Sequence, residues 1–251
     1  MRVCILGSGL SSLSLAKALV NKKINVDVVF TKKFKPVNRS RTLSISKSNV
    51  DFFNKYITNI EKFSWKLKKI HIFSENLKND KLINFDNGKY ELFSIIKNYK
   101  LYEVIKKSLE KDKYFKKITY RKNQNFFDDY NIIINTDYYS PITKKYFNKK
   151  IIKNYNSCAY TTIIDHADII NDTAVQIFTK LGPLAFLPIS NKKTSVVFSV
   201  SKANNSDKKN IINLLNSYNF KYKIKNINKI ESFELRSLNL RSYCNKKFLA
   251  F

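Results

Sequence analysis

An α/β fold, with a parallel doubly wound sheet first and an antiparallel sheet after it, is predicted for this chain of 251 residues by three features of its sequence. Residues 3–30 read as strand, tight turn, helix and strand. Residues 131–135 are too apolar for anything but a buried strand. From residue 157 onward, strand-like runs follow one another closely with short turns, the pattern of an antiparallel meander.

The opening unit carries the clearest signal. Residues 3–6 are a short apolar run, Gly7-Ser8-Gly9 is the turn, and Leu10, Leu13, Ala16, Leu19 and Val20 recur at helical spacing. Residues 24–30 form the next strand. Gly7-x-Gly9-x-x-Ser12 is a GxGxxG whose third glycine is replaced. Such a turn lets backbone approach a pyrophosphate and feeds a helix N-terminus whose partial positive charge faces the anion. The acid that usually ends the second strand and holds ribose hydroxyls is missing, and Thr31 stands there with at most one hydrogen bond to offer.

Further along, helices are expected at 48–56, 101–109 and 206–218, and strands at 66–74, 89–96, 115–121 and 229–235. The strand at 66–74 is expected to be antiparallel. The meander comprises 158–164, 174–179, 184–189 and 195–200. Domain organisation follows from that order: residues 1–150 form a Rossmann-like domain, interrupted by a β insertion at about 61–98 that joins the second domain. Residues 151–251 form the antiparallel domain and end in a strand that returns to the first.

Composition bounds the function classes. A chain that is 43% hydrophobic and 14% aromatic is not a disordered polymer. No apolar run approaches the ~18 residues of a membrane span, and no signal-peptide layout opens the chain, so a cytoplasmic location is the default. Cys4, Cys158 and Cys244 match no CxxC spacing, which argues against a zinc site or a disulfide framework and for small buried hydrophobes. The formal charge of +28 is spread along the chain, mostly as Lys, among abundant Asn, Ile, Phe and Tyr. A biased genome accounts for it more simply than nucleic acid, for which no motif is present. The same lysines favour peripheral attraction to an anionic membrane surface. The basic run at 144–153 reads as a solvated face, and His71 and His166 as structural residues.

Glycine and proline are scarce, four of each, yet five of the eight fall in Gly7-Ser8-Gly9 and Gly182-Pro183-Leu184-Ala185-Phe186-Leu187-Pro188. Such placement marks a backbone requirement. The second segment, preceded by Gln176-x-Phe178 and followed by Ser195-Val196-Val197-Phe198-Ser199, resembles the substrate-domain hairpin of the ubiquinone-biosynthesis hydroxylases, which are para-hydroxybenzoate-hydroxylase-like flavoprotein monooxygenases. Arg41-Thr42-Leu43-Ser44-Ile45-Ser46 resembles that family's Arg-Thr-x-Ala-Leu-Ser, and 95–101 its Val-Val-Glu-Asn-x-x-Leu. Trp65 followed by Ile70-His71-Ile72 is similar to its first substrate-domain strand.

The resemblance, which spans residues 3–200, implies FAD as cofactor, NAD(P)H as transient co-substrate, and hydroxylation of a polyprenylated phenol by O₂ in ubiquinone synthesis. The cofactor would carry the chemistry while the protein orients the ring and excludes water. No catalytic side chain and no metal ligand are then needed. Carried over residue by residue, it places Gly7, Gly9, Ser12, Thr31, Arg41 and Asp137 on the cofactor, and Gly182, Pro183, Leu184, Phe186 and Pro188 on the substrate side. Two departures stand out. The family's Asp-Gly-x-x-Ser-x-x-Arg survives only as Asp137-Tyr138-Tyr139-Ser140-Pro141, and its second flavin motif, Gly-Asp-Ala-Ala-His, is absent. The chain is therefore read as C-terminally incomplete, with weak FAD retention and no activity expected of it alone. The alternatives are a flavin hydroxylase or reductase of another substrate, and a degenerate nucleotide-binding relative.

Overall fold

The computed structural model describes residues 1–30, 39–77, 80–86, 88, 90–119, 126–201 and 208–250. In chain order these form β1 (Arg2–Leu6), α1 (Leu10–Val20), β2 (Asn25–Val29), β3 (Thr42–Ser46), α2 (Lys47–Tyr56), β4 (Ser64–Leu67), β5 (Lys69–Ser74), β6 (Lys81–Asp86) and β7 (Phe93–Lys97). There follow α3 (Asn98–Glu110), β8 (Phe115–Ile118), β9 (Ile132–Asn135), α4 (Pro141–Tyr146), β10 (Lys150–His166), β11 (Thr173–Thr179), β12 (Gly182–Ser190) and β13 (Lys193–Ser201). The last elements are α5 (Lys208–Tyr218), β14 (Ile224–Ile227), β15 (Glu231–Leu240), β16 (Cys244–Asn245) and β17 (Phe248–Ala250).

The first sheet has the order β16-β17-β9-β1-β2-β8, with every neighbouring pair parallel except the β16–β17 hairpin. Because successive residues of a strand point to opposite faces, β1 serves two cores. Val3 and Ile5 pack with Leu13, Ala16, Leu101 and Ile105 under α1 and α3. Cys4 and Leu6 pack on the other face with Ile142 and Phe147 of the α4 region and with Phe248. Burial on both faces explains why β1 and β9 read as continuous apolar runs. At the N-terminal side, Asp27 on β2 is buried and accepts from Arg2 at 2.6 Å and from the Tyr130 hydroxyl at 2.7 Å.

The second sheet runs β14-β10-β13-β12-β11-β5-β6, with β15 paired to β10 as well. Strands β11 to β13 form an antiparallel meander, but β10, expected to lead into it beside β11, pairs with β13 instead, and one face packs under α5 through Ile211 and Leu215. A third sheet, β3-β7-β4, lies against the other face: Leu67 and Ile95 meet Ala174, Leu187 and Ile189. On β7 the next residue, Ile96, belongs to the core under α1 and α3.

Several expectations need correction. The stretch 66–74 is two strands in different sheets, broken at Lys68, whose N–H donates to the Asp172 carbonyl at 2.9 Å. The second of them, β5, pairs with β11 in parallel, since side-chain alternation carries no information on direction. Strand β6 gives no sequence signal because every one of its residues is exposed. The strand expected at 89–96 is Phe93–Lys97, and the helix at 101–109 starts earlier, at Asn98. Tyr120, Arg121 and Ser206 fall outside the described residues.

Of the cysteines only Cys4 is a buried hydrophobe, and burial pushes its thiol up to about 12; Cys158 is half-buried and Cys244 exposed. Lys149, Lys150 and Lys153 of the basic run are exposed, and Lys150 and Lys153 lie on the first half of β10, paired with β15. His166 is buried and fully engaged, its ring nitrogens 2.8 Å from the Ala167 carbonyl and 3.0 Å from the Thr194 hydroxyl. No described helix is long and apolar enough to cross a membrane.

Candidate cofactor and substrate site

In the parallel sheet the chain leaves β1 toward β2 on one side, while β9 enters on the other. The crevice beyond the C-terminal ends of β1 and β9 is thus the topological switch point, where open α/β sheets bind ligands. Register puts Leu6, Asn135 and Ala250 side by side at that edge.

Gly7 turns the chain there with φ +121°, and its N–H donates to the Val29 carbonyl at 3.2 Å. A Cβ at Gly7 would sit 3.1 Å from Ser12 Oγ and closer to Thr136 Oγ1 than real Cβ atoms approach. Gly9 is the N-cap of α1 and supplies no capping side chain, and a Cβ built on it meets nothing within 4 Å. The first turn of α1 therefore presents backbone N–H groups toward open space, with no acid to oppose an anion. The residues fit a pyrophosphate.

Thr136, not singled out from the sequence, organises this edge. Its N–H and its hydroxyl both donate to the Leu6 carbonyl, each at 2.9 Å, and its Oγ1 lies 2.6 Å from Ser12 Oγ. The Thr136 proton being committed to Leu6, Ser12 is the donor of that bond. The replaced third glycine has thus become a tie between helix and strand. Its position opposite Gly7, at the end of the strand beyond the switch point, was the signal that could have found Thr136. We expect Ser12→Gly to lower stability by about 1–2 kcal/mol, one lost buried hydrogen bond plus one glycine in a helix. Thermal denaturation checks this; an unchanged or raised Tm would refute it.

Asp137 is half-buried, and its carboxylate accepts from the Tyr139 N–H at 3.0 Å, closing the turn before α4. It lies beside Gly7, with its backbone nitrogen 3.4 Å from the built Cβ. Thr31 lies outside the described residues.

Arg41 immediately precedes β3. Its carbonyl accepts from the Asn98 N–H at 3.0 Å, and its guanidinium lies 5.1 Å from the Phe233 ring centroid. The stretch is held against the second sheet by Thr42 Oγ1 donating to Ser195 Oγ at 3.0 Å and by Ser40 Oγ 3.2 Å from Thr161 Oγ1. Antiparallel pairing of Thr42 with Lys97 brings the 41–46 and 95–101 segments together. At their junction Asn98 Oδ1 is buried and has no hydrogen-bond partner among the described residues.

Residues 182–188 form most of β12. Leu184 and Phe186 are buried in the core under α5, while Ala185 and Leu187 alternate onto the face that meets β3, β4 and β7. Pro188 is buried and Pro183 exposed. Gly182 has φ +139°, and a Cβ there would overlap the Ser199 carbonyl of β13. The two glycine-bearing segments therefore sit in different sheets: one shapes the crevice, the other a hairpin.

Comparison with solved structures agrees with this layout. The chain is similar to p-nitrophenol 4-monooxygenase PnpA from Pseudomonas putida DLL-E4, at 11% identity and TM-score 0.75, over 99% of this chain and 71% of that one. It is similar to PqsL, a probable FAD-dependent monooxygenase from Pseudomonas aeruginosa, at 11% identity and TM-score 0.71, over 100% and 77%. The flavin-dependent halogenase CmlS matches at 12% identity and TM-score 0.72, over 99% and 52%. The chain has the fold of the FAD-binding aromatic hydroxylases. No protein-family model matches the sequence, and no curated protein does, so the likeness is one of fold.

Proposed function

We propose that the chain belongs to an FAD-dependent monooxygenase that hydroxylates the aromatic ring of a polyprenylated phenol in ubiquinone biosynthesis, using NAD(P)H and O₂. The observation that carries the flavin reading is the crevice at Gly7, open to an uncapped helix N-terminus at the switch point of a fold shared with flavin monooxygenases. When bound, FAD would supply the reduction and oxygen-transfer chemistry.

This chain's own residues bind and orient. Gly7, Gly9 and the first turn of α1 receive the pyrophosphate; Ser12 and Thr136 fix the distance between helix and strand behind it. Arg41 and Asn98, joined through the backbone, offer a cation and a free amide oxygen to the rest of the cofactor. The apolar face of β12 carrying Ala185 and Leu187 would wall the ring and exclude water. The substrate and pathway rest on the sequence resemblance, and peripheral attraction to an anionic membrane surface rests on the +28 charge.

The test is a titration of the purified protein with FAD, followed by visible absorption and flavin fluorescence, then NAD(P)H under air with and without a polyprenyl phenol. Saturable quenching, with NAD(P)H oxidation stimulated by the phenol, is the result that supports the reading. A protein that stays colourless and leaves flavin fluorescence untouched sinks the reading.

A further inference from the structure

The turn after β9 and the helix it leads into border a second cavity. Tyr138, Tyr139, Thr143, Lys144, Phe147 and Lys150 line a cleft of about 300 Å³. Phe147 is 2% exposed, an apolar base, whereas Lys144 and Lys150 are exposed cations. Lys150 Nζ donates to the Tyr138 hydroxyl at 2.5 Å and lies 4.9 Å from its ring centroid; Arg236 on β15 donates to the Tyr139 hydroxyl at 3.2 Å.

Each phenol oxygen that accepts from a cation keeps its own proton to donate outward. No carboxylate lines the cleft, and that of Asp137 is turned back onto the Tyr139 N–H. Among the described residues none of Lys144, Lys150 and Arg236 forms an ion pair. Lys144 and Lys150 line the cleft and Arg236 reaches its rim at the Tyr139 hydroxyl, so an anion placed there meets positive charge with no carboxylate in the lining to oppose it. Two ammonium groups and two outward phenol protons suit the several oxygens of a phosphate better than the two of a carboxylate. The Tyr138 and Tyr139 rings, 5.0 Å apart edge to face, add aromatic surface. The volume is at the lower end of ligand pockets, which admits a single ring and a phosphate but not a dinucleotide.

We propose that this cleft binds a small phosphomonoester carrying a flat ring, its phosphate on Lys144 and Lys150 and its ring against Tyr138 and Tyr139. The proposal does not depend on the flavin reading, because the cleft is built by different side chains and its test needs no flavin.

The test is calorimetric titration of the protein at low salt with adenosine monophosphate, phenyl phosphate, inorganic phosphate and adenosine. One ring-bearing phosphate is expected to bind at least about tenfold more tightly than inorganic phosphate, and adenosine not measurably. Preference for adenosine monophosphate identifies a nucleotide as the source, and preference for phenyl phosphate an aryl ester. Lys150→Gln, at an exposed position where folding is checked by circular dichroism, is expected to weaken binding about tenfold. Tyr139→Leu is expected to bring the ring-bearing ligand down to the level of inorganic phosphate. Equal binding of all three phosphates overturns the proposal. So does nucleotide binding indifferent to Lys150→Gln, which would place the nucleotide in the Gly7 crevice instead.

Discussion

Gly182→Ala is expected to cost about 3–5 kcal/mol of stability, more than the same change at Gly7, Gly9 or Gly88. Gly182 holds φ +139°, a region closed to residues with a Cβ, and the added methyl would overlap the Ser199 carbonyl. That carbonyl belongs to β13, which is paired to β12 and to β10 and has no freedom to withdraw. The turn itself is tightly tied: Thr179 Oγ1 accepts from the Leu181 and Gly182 N–H groups, each at 3.2 Å, and donates to the Gly182 carbonyl at 2.7 Å. Gly88→Ala is the control. It has φ +61° but nothing within 4 Å of an added Cβ, so only the left-handed backbone penalty of about 1–2 kcal/mol remains. Urea denaturation of both variants separates the two contributions; equal midpoints would show that the β13 carbonyl imposes no constraint.

Gly7→Ala is expected to abolish flavin binding and to cost about 2–3 kcal/mol through strain at φ +121° and the clash with Thr136 Oγ1. Part of that clash is relieved if the Thr136 side chain rotates, which breaks its bonds to Leu6 and Ser12. Loss of binding in this variant alone would be ambiguous, since the crevice itself is deformed. Gly9→Ala resolves the ambiguity: its φ of −77° suits any residue and its Cβ meets no protein atom. We expect it to fold with a Tm within about 2 °C of the parent, because surface substitutions of this kind stay near ±0.5 kcal/mol. If a pyrophosphate packs against that backbone, the same methyl weakens FAD binding at least about tenfold. Full FAD affinity in Gly9→Ala would mean that the cofactor does not use this turn.

The parallel sheet was legible because its strands are buried on both faces and its first turn needs glycine for steric reasons, both of which leave marks in composition. The meander was legible for the same reason in period-two form. What escaped the sequence was exposed or non-local. Strand β6 is held by hydrogen bonds to β5, not by burial, and its residues carry no pattern. The break at Lys68 depends on Asp172, a partner more than one hundred residues away. Around this turn, Gly7, Gly9 and Ser12 stand close together in sequence and can be read as one motif, whereas Thr136 becomes visible only once β9 is laid beside β1. Leu184 and Phe186 were marked by their segment, yet strand alternation hands the face toward β3, β4 and β7 to their neighbours Ala185 and Leu187.

Strand β7 gives Ile95 to the interior of one sheet pair and Ile96 to the layer beneath α1 and α3. It is a party wall between two rooms. Neither room can lose its packing without disturbing a backbone whose other side is the neighbour's lining, so the two halves of the molecule should unfold in one transition rather than two. The crevice and the meander thereby share a wall whose two linings are adjacent residues of one strand.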